Sequence, residues 1–254
     1  MEGLKEALEY AVGLSEPHKI ERNGELFTDK PMERVHQLQP KASPLELSTL
    51  TSLLNYIESN TDTMPGHMLI HIKSPTEVQL MSELDVDRRR EILATVNARV
   101  PRFEYGCYYS SESFVINLMA NFVSVPSGTQ VLKKNDLDLV LKFAGTVETG
   151  TIAQYGDDGV SQKATIQQTC TSREDVIVPN PVSLIPYRTF KEIDQPASKF
   201  VFRMKEGGHG PQMALFDSDG GAWEVAAMQA IHEYLSRGIS KIKKDIDTVF
   251  TILS

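Results

Sequence analysis

Apolar residues recur every three to four positions at Leu4, Ala7, Leu8, Ala11 and Val12, a period that predicts an amphipathic helix over residues 2–14. The period is lost between Ile20 and Val35, where Asn23-Gly24 supplies the positive φ that a two-residue hairpin turn demands. Residues 36–44 are polar and hold Pro40 and Pro44, so they read as a connector. It separates a small N-terminal module of helix plus hairpin, 1–40, from a main α+β domain, 41–254. At the entrance to that domain, Ser43-Pro44-Leu45-Glu46 has the letters of a capping box with proline at the first helical position. The spacing predicts a helix over 44–60 with Leu47, Leu50, Leu54 and Ile57 as its apolar stripe.

The pattern then changes to period two. Residues 68–72, 77–81 and 92–100 read as a three-stranded meander, with a charged turn at 85–90 and Pro101 as the stop. Ser111 is placed to cap a helix whose broad apolar face holds Phe114, Val115, Leu118, Met119 and Phe122. Leu137, Leu139 and Leu141 fit either a strand or a short helix that enters a strand at Gly145; their alternation favours the strand.

Residues 155–205 form the most patterned stretch. Asp157, Asp158 and Gly159 stand between strand-like runs, as a hairpin tip does. Pro179, Pro181, Pro186 and Pro196 each remove a ladder donor, which predicts short strands near a sheet edge joined by rigid corners. Phe200, Phe202 and Met204 alternate with Val201, Arg203 and Lys205, so the two aromatics and the methionine share one face and both cations the other. Glycine-rich turns at 207–211 and 217–221 flank a strand over 212–216. A helix over 223–235 carries Val225, Met228, Ile231 and Leu235 inward, and a basic amphipathic piece, 239–253, ends the sequence. Helices and strands are segregated rather than alternating, which predicts an α+β class with antiparallel sheets, short edge strands and about four helices.

Composition narrows the function. The 254 residues hold 41% hydrophobic and 24% charged side chains, the balance of a globular protein with a sizeable core. A net charge of −8 opposes coating duplex DNA over the whole surface, which needs a broad cationic excess. Cys107 and Cys170 are too few for a disulfide framework and point to a reducing compartment. The N-terminus lacks the apolar core of a signal peptide and no long apolar run occurs, so the expected location is the cytoplasm, with no membrane partner.

Several residue groups are candidates for chemistry. Asp157 and Asp158 are the metal candidates of a hydrolase or nuclease, with Glu192 or Asp194 as further acids; an exposed hairpin tip is the simpler account, because strand neighbours face opposite ways. Asp217-Ser218-Asp219-Gly220 opens like a calcium loop but lacks the twelve-residue spacing to a closing glutamate, and a turn capping the next helix explains it better. The six histidines are dispersed, and no zinc-protease, nucleophile-elbow or phosphate-loop motif is present. No catalytic residue and no cofactor is therefore assigned. Arg88 to Arg90 and the lysines at 241, 243 and 244 read as solvated faces. Arg188 and Arg203, among Tyr187, Phe190, Phe200 and Phe202, form a different set: an arginine beside aromatics on a sheet is a platform for a base, a nucleotide or a partner chain. The candidate ligand-binding residues are Tyr187, Arg188, Phe200 and Arg203, although packing on the sheet surface accounts for them too.

The segments DDGVSQ, VPNPVSLIPYRTF, EIDQPASKFVFR and ALFDSDGGAW resemble proteins without an assigned activity that are encoded in phages and prophages of Gram-positive bacteria. LSTLTSLLNYI, PRFEYGCYYSSESFVINLMANF and the N-terminal AVGL fit the same family, so the likeness spans nearly the whole chain. It implies a setting, phage replication or lysogeny, and no chemistry. The resulting expectation is a non-enzymatic cytoplasmic homo-oligomer that binds single-stranded nucleic acid, a nucleotide or a host protein in replication, recombination or counter-defence. The alternatives are the metal-dependent hydrolase and a virion structural or assembly protein.

Overall fold

A computed structural model describes residues 2–13, 19–22, 25–28, 41–64, 66–124, 135–149, 151–157, 162–169, 172–178, 180–208, 210–242 and 247–254. The chain divides into two units, Met1–Lys41 and Ala42–Ser254. The first holds helix α1 (Glu2–Gly13) and strands β1 (Lys19–Arg22) and β2 (Glu25–Thr28). The strands pair antiparallel with Arg22 opposite Glu25; Asn23-Gly24, where the sequence predicts the turn, lies outside the described residues.

The second unit carries two cores. The first is built on β3 (Leu45–Leu47), α2 (Leu50–Ser59), β4 (His67–Ser74), β5 (Glu77–Ser82) and β6 (Ile92–Asn97). Strands β4, β5 and β6 are the expected antiparallel meander. Met68, Ile70 and Ile72 alternate inward on β4 and meet Val78 and Leu80 of β5 under Leu50, Leu53 and Ile57 of α2.

The second core is built on β7 (Tyr109–Ser110), α3 (Ser111–Asn121) and α4 (Leu137–Thr149), followed by β8 (Thr151–Asp157), β9 (Gln162–Thr169) and β10 (Ser172–Val178). It is completed by β11 (Val182–Leu184), β12 (Ser198–Gly207) and β13 (Gly210–Asp217). The four-stranded sheet runs β11-β12-β13-β7, and a separate three-stranded sheet runs β10-β9-β8. Phe200, Phe202 and Met204 are buried beneath Phe114, Leu118, Val140 and Phe143, as their alternation predicts. Pro181 and Pro186 flank β11, a three-residue edge strand. Helix α5 (Ala222–Ile242) then crosses the five-stranded sheet, and β14 (Val249–Leu253) joins that sheet's edge in parallel with β4.

The class is α+β with mostly antiparallel sheets, and the described residues hold five helices where about four were expected. Three local readings are corrected. Residues 137–149 are helix, because Leu137, Val140, Phe143, Ala144 and Val147 bury at a spacing of three to four, which outweighs the Leu137-Leu139-Leu141 alternation. The helix expected from Pro44 begins at Leu50: Thr49 accepts from the Ser52 amide at 3.1 Å as the N-cap, and Leu45–Leu47 pairs instead in parallel with β6. The closing piece, 239–253, is split between the end of α5 and the strand β14. Among the described residues no helix is long and apolar enough to cross a membrane.

Candidate functional site

The segment between β11 and β12 is irregular, and one buried side chain organises it. Gln195 accepts at Oε1 from the amides of Arg188 at 3.0 Å and Thr189 at 3.3 Å, and donates from Nε2 to the carbonyls of Phe190 at 2.9 Å and Ile193 at 3.3 Å. A loop that cannot join a ladder thereby satisfies its backbone groups without one. Phe190 and Ile193 turn into the first core, so Phe190 leaves the aromatic group in which its sequence position suggested it.

Arg188 points the other way. Its side chain is only 9% exposed and its guanidinium lies 4.3 Å from the Tyr105 ring centroid, 5.0 Å from that of Phe200 and 4.9 Å from that of Trp223. Nε donates to the Tyr105 hydroxyl at 3.0 Å and Nη2 pairs with Asp217 at 2.5 Å. The β12–β13 register explains the arrangement: Phe200 stands opposite Asp217, so ring and carboxylate reach the cation from one place in the sheet. Tyr105 stacks on Phe200 with an interplanar angle of 11°, and its segment is tied to β13 by the Gly106 amide bonding the Leu215 carbonyl at 2.8 Å. Burial raises the Tyr105 pKa above its ordinary 10.0, against the opposing pull of the Arg188 guanidinium, so the phenol stays protonated at neutral pH.

Tyr105, Arg188, Asp217 and Trp223 line a pocket of about 530 Å³ together with Arg102, Phe103, Asn121, Tyr187 and Glu224. Asn121, at the end of α3, is 5% exposed, and its amide nitrogen donates to the Asn117 carbonyl at 2.8 Å. Two buried polar atoms of this lining make no hydrogen bond: Asn121 Oδ1 and Arg188 Nη1. Leaving such groups unpaired costs about 1–3 kcal/mol each.

Of the predicted ligand-binding residues, Tyr187 and Arg188 line the pocket and Phe200 lies against the guanidinium. Arg203 does not join them. It sits on β12 at the alternate parity to the inward Phe202 and Met204, so strand pleating turns it to the opposite face. Tyr105, Asn121, Asp217 and Trp223 were not linked to Arg188 by sequence; the only local signal was their aromatic or turn-forming company. Asp157 closes β8, but its side chain and the whole of Asp158 lie outside the described residues. Glu192 accepts weakly from the Thr51 amide at 3.4 Å and Asp194 is exposed. Among the described residues no group of three or more His, Cys, Asp or Glu is placed to hold a metal ion. No family model, curated protein or solved structure matches this chain.

Proposed function

We propose that this protein is a non-enzymatic binding protein that takes a nucleotide, or a base of single-stranded nucleic acid, into the Arg188 pocket. The observation that carries the reading is the guanidinium held between Tyr105, Phe200 and Trp223 at the wall of an open cavity. Such a cluster presents flat π surface and a fixed positive charge together, the combination on which bases stack. Tyr187 and Trp223, both half-buried, add ring surface to the lining. The net charge of −8 suits a single small site better than a long phosphate-tracking groove. Action as a homo-oligomer in the cytoplasm of a phage-carrying Gram-positive host belongs to the same proposal and rests on the sequence resemblance and the edge strands.

The test uses the chain's one tryptophan, which is Trp223 and therefore a reporter inside the pocket. Its fluorescence is titrated with ribonucleotides, deoxyribonucleotides and single-stranded oligonucleotides. A saturable change with at least one of them is expected. A flat signal with all, together with no heat by calorimetry, sinks the proposal.

A further inference from the structure

Strand β14 is an edge strand that lacks the usual guards against pairing. Among the described residues its only ladder partner is β4, and it forms one margin of the five-stranded sheet. The other margins of the two larger sheets are blunted: β3 is three residues long with Glu46 at its centre, β7 is two residues long, and β11 is three residues long between Pro181 and Pro186. Residues 248–253, TVFTIL, hold no charge and no proline. Val249 and Leu253 are 49% and 46% exposed, although both are large and apolar. The Val249 amide donates to the Gly66 carbonyl at 2.9 Å, so Val249, Thr251 and Leu253 turn their backbone groups toward β4. Those of Phe250 and Ile252 face the open side, and among the described residues nothing bonds them there. Side chains alternate as well. Phe250 and Ile252 pack into the first core, whereas Val249, Thr251 and Leu253 share the opposite face, where the Thr251 hydroxyl meets His67 Nε2 at 3.2 Å.

Resting on the homo-oligomer reading above, we infer that β14 pairs antiparallel with β14 of a second copy of this chain, about a twofold axis at Thr251, and joins the two five-stranded sheets into one. In this register Phe250 exchanges both backbone hydrogen bonds with the partner's Ile252, and Ile252 with the partner's Phe250, so the open edge is satisfied. Val249 then stands opposite the partner's Leu253 at each end of the ladder. These are non-hydrogen-bonded positions, where cross-strand side chains lie closest, so the two exposed apolar side chains cover each other. A shift of two residues would set Leu253 against Asp247 instead. The strand is thus self-complementary, as a twofold contact requires, in backbone and in side chains together. A strand from another protein would match the backbone alone. A contact one strand wide lies at the small end of specific interfaces, so the expected dissociation constant is on the order of 10 μM.

The experiment is analytical ultracentrifugation of the full chain over a range of concentrations, on the wild type and on charge variants of the exposed pair. The wild type is expected to reach twice the 28.3 kDa of one chain. Val249→Lys/Leu253→Lys sets like charges opposite each other at both ends and is expected to weaken dimerisation at least about tenfold at an unchanged circular dichroism spectrum. Val249→Lys/Leu253→Glu sets opposite charges there and is expected to recover the dimer. A second measurement fixes the register without charge. With Cys107 and Cys170 replaced by serine, Thr251→Cys is expected to form a disulfide dimer on oxidation and Val249→Cys is not, because only position 251 meets itself across the axis. A discrete oligomer that Val249→Lys/Leu253→Lys leaves intact, or cross-linking through Val249→Cys in place of Thr251→Cys, would overturn this interface and leave the homo-oligomer standing. A monomer at every concentration would overturn both readings.

Discussion

Arg188 is a cation almost wholly removed from water, and its position depends on a residue that never touches the pocket. Gln195 bonds four backbone groups of the loop that carries Arg188 and is itself 8% exposed. Replacing it with alanine strands buried donors and acceptors. Gln195→Ala is therefore expected to destabilise the protein by ~2–4 kcal/mol, read as a lower denaturant midpoint at unchanged slope. Tyr105 gives a second residue-scale prediction. Its folded-state pKa lies above the unfolded value of 10.0, chiefly through burial, so the folded state holds its proton more tightly. Its contribution is fully present below pH 10 and is lost as pH rises through the folded value. Stability of the wild type should fall more steeply above pH 10 than that of Tyr105→Phe, and parallel curves would refute the assignment. The residue scale is also where sequence reading was weakest. Tyr187, Arg188 and Phe200 are recognisable from local company, whereas Tyr105 and Asn121 reach the same pocket from more than sixty residues away in sequence.

At the scale of elements, a close helix approach and a helix cap support the first core. Helix α5 passes α2 at Gly238, where an added Cβ would lie 2.4 Å from Leu54 Cδ1 and 2.7 Å from Leu54 Cδ2. Alanine in a helix interior normally gains about 1 kcal/mol over glycine. Here the crowding against Leu54 costs about 1–3 kcal/mol, so Gly238→Ala is expected to lower the thermal midpoint. In a Leu54→Ala background the same change should raise it, a reversal that a double-mutant cycle measures directly. The Thr49 cap is the second feature: Thr49→Ala removes the bond to the Ser52 amide and should cost about 1 kcal/mol by chemical denaturation. Elements were legible where one local rule governed them. The β4–β5–β6 meander, the β12–β13 hairpin and the inward face of β12 all follow from alternation and glycine turns. Where two local rules competed, as at 43–50 and 137–149, the outcome was decided by which face found a core to cover.

At the scale of the whole molecule, every residue of both cores, among the described residues, lies beyond position 41. A chain beginning at Ala42 is expected to unfold cooperatively with a thermal midpoint within about 3 °C of the full chain, because hydrophobic burial dominates stability. A loss of cooperativity would show that residues 1–41 complete a core. The homo-oligomer of the proposal makes its own prediction: light scattering at micromolar concentration should return a discrete mass above the 28.3 kDa of one chain.

The sequence by itself determined the α+β class, the meander, the hairpins and the buried face of β12, since period-two alternation and turn chemistry act over a few residues. It also isolated an arginine among aromatics. Only the tertiary structure decided that β3 and β14 join the five-stranded sheet in parallel, because such pairing is set by partners distant in sequence. The same holds for the pocket. Its walls come from α3, the Tyr105 segment, the Gln195 loop, the end of β13 and the start of α5, which are distant in sequence and meet only in the folded chain.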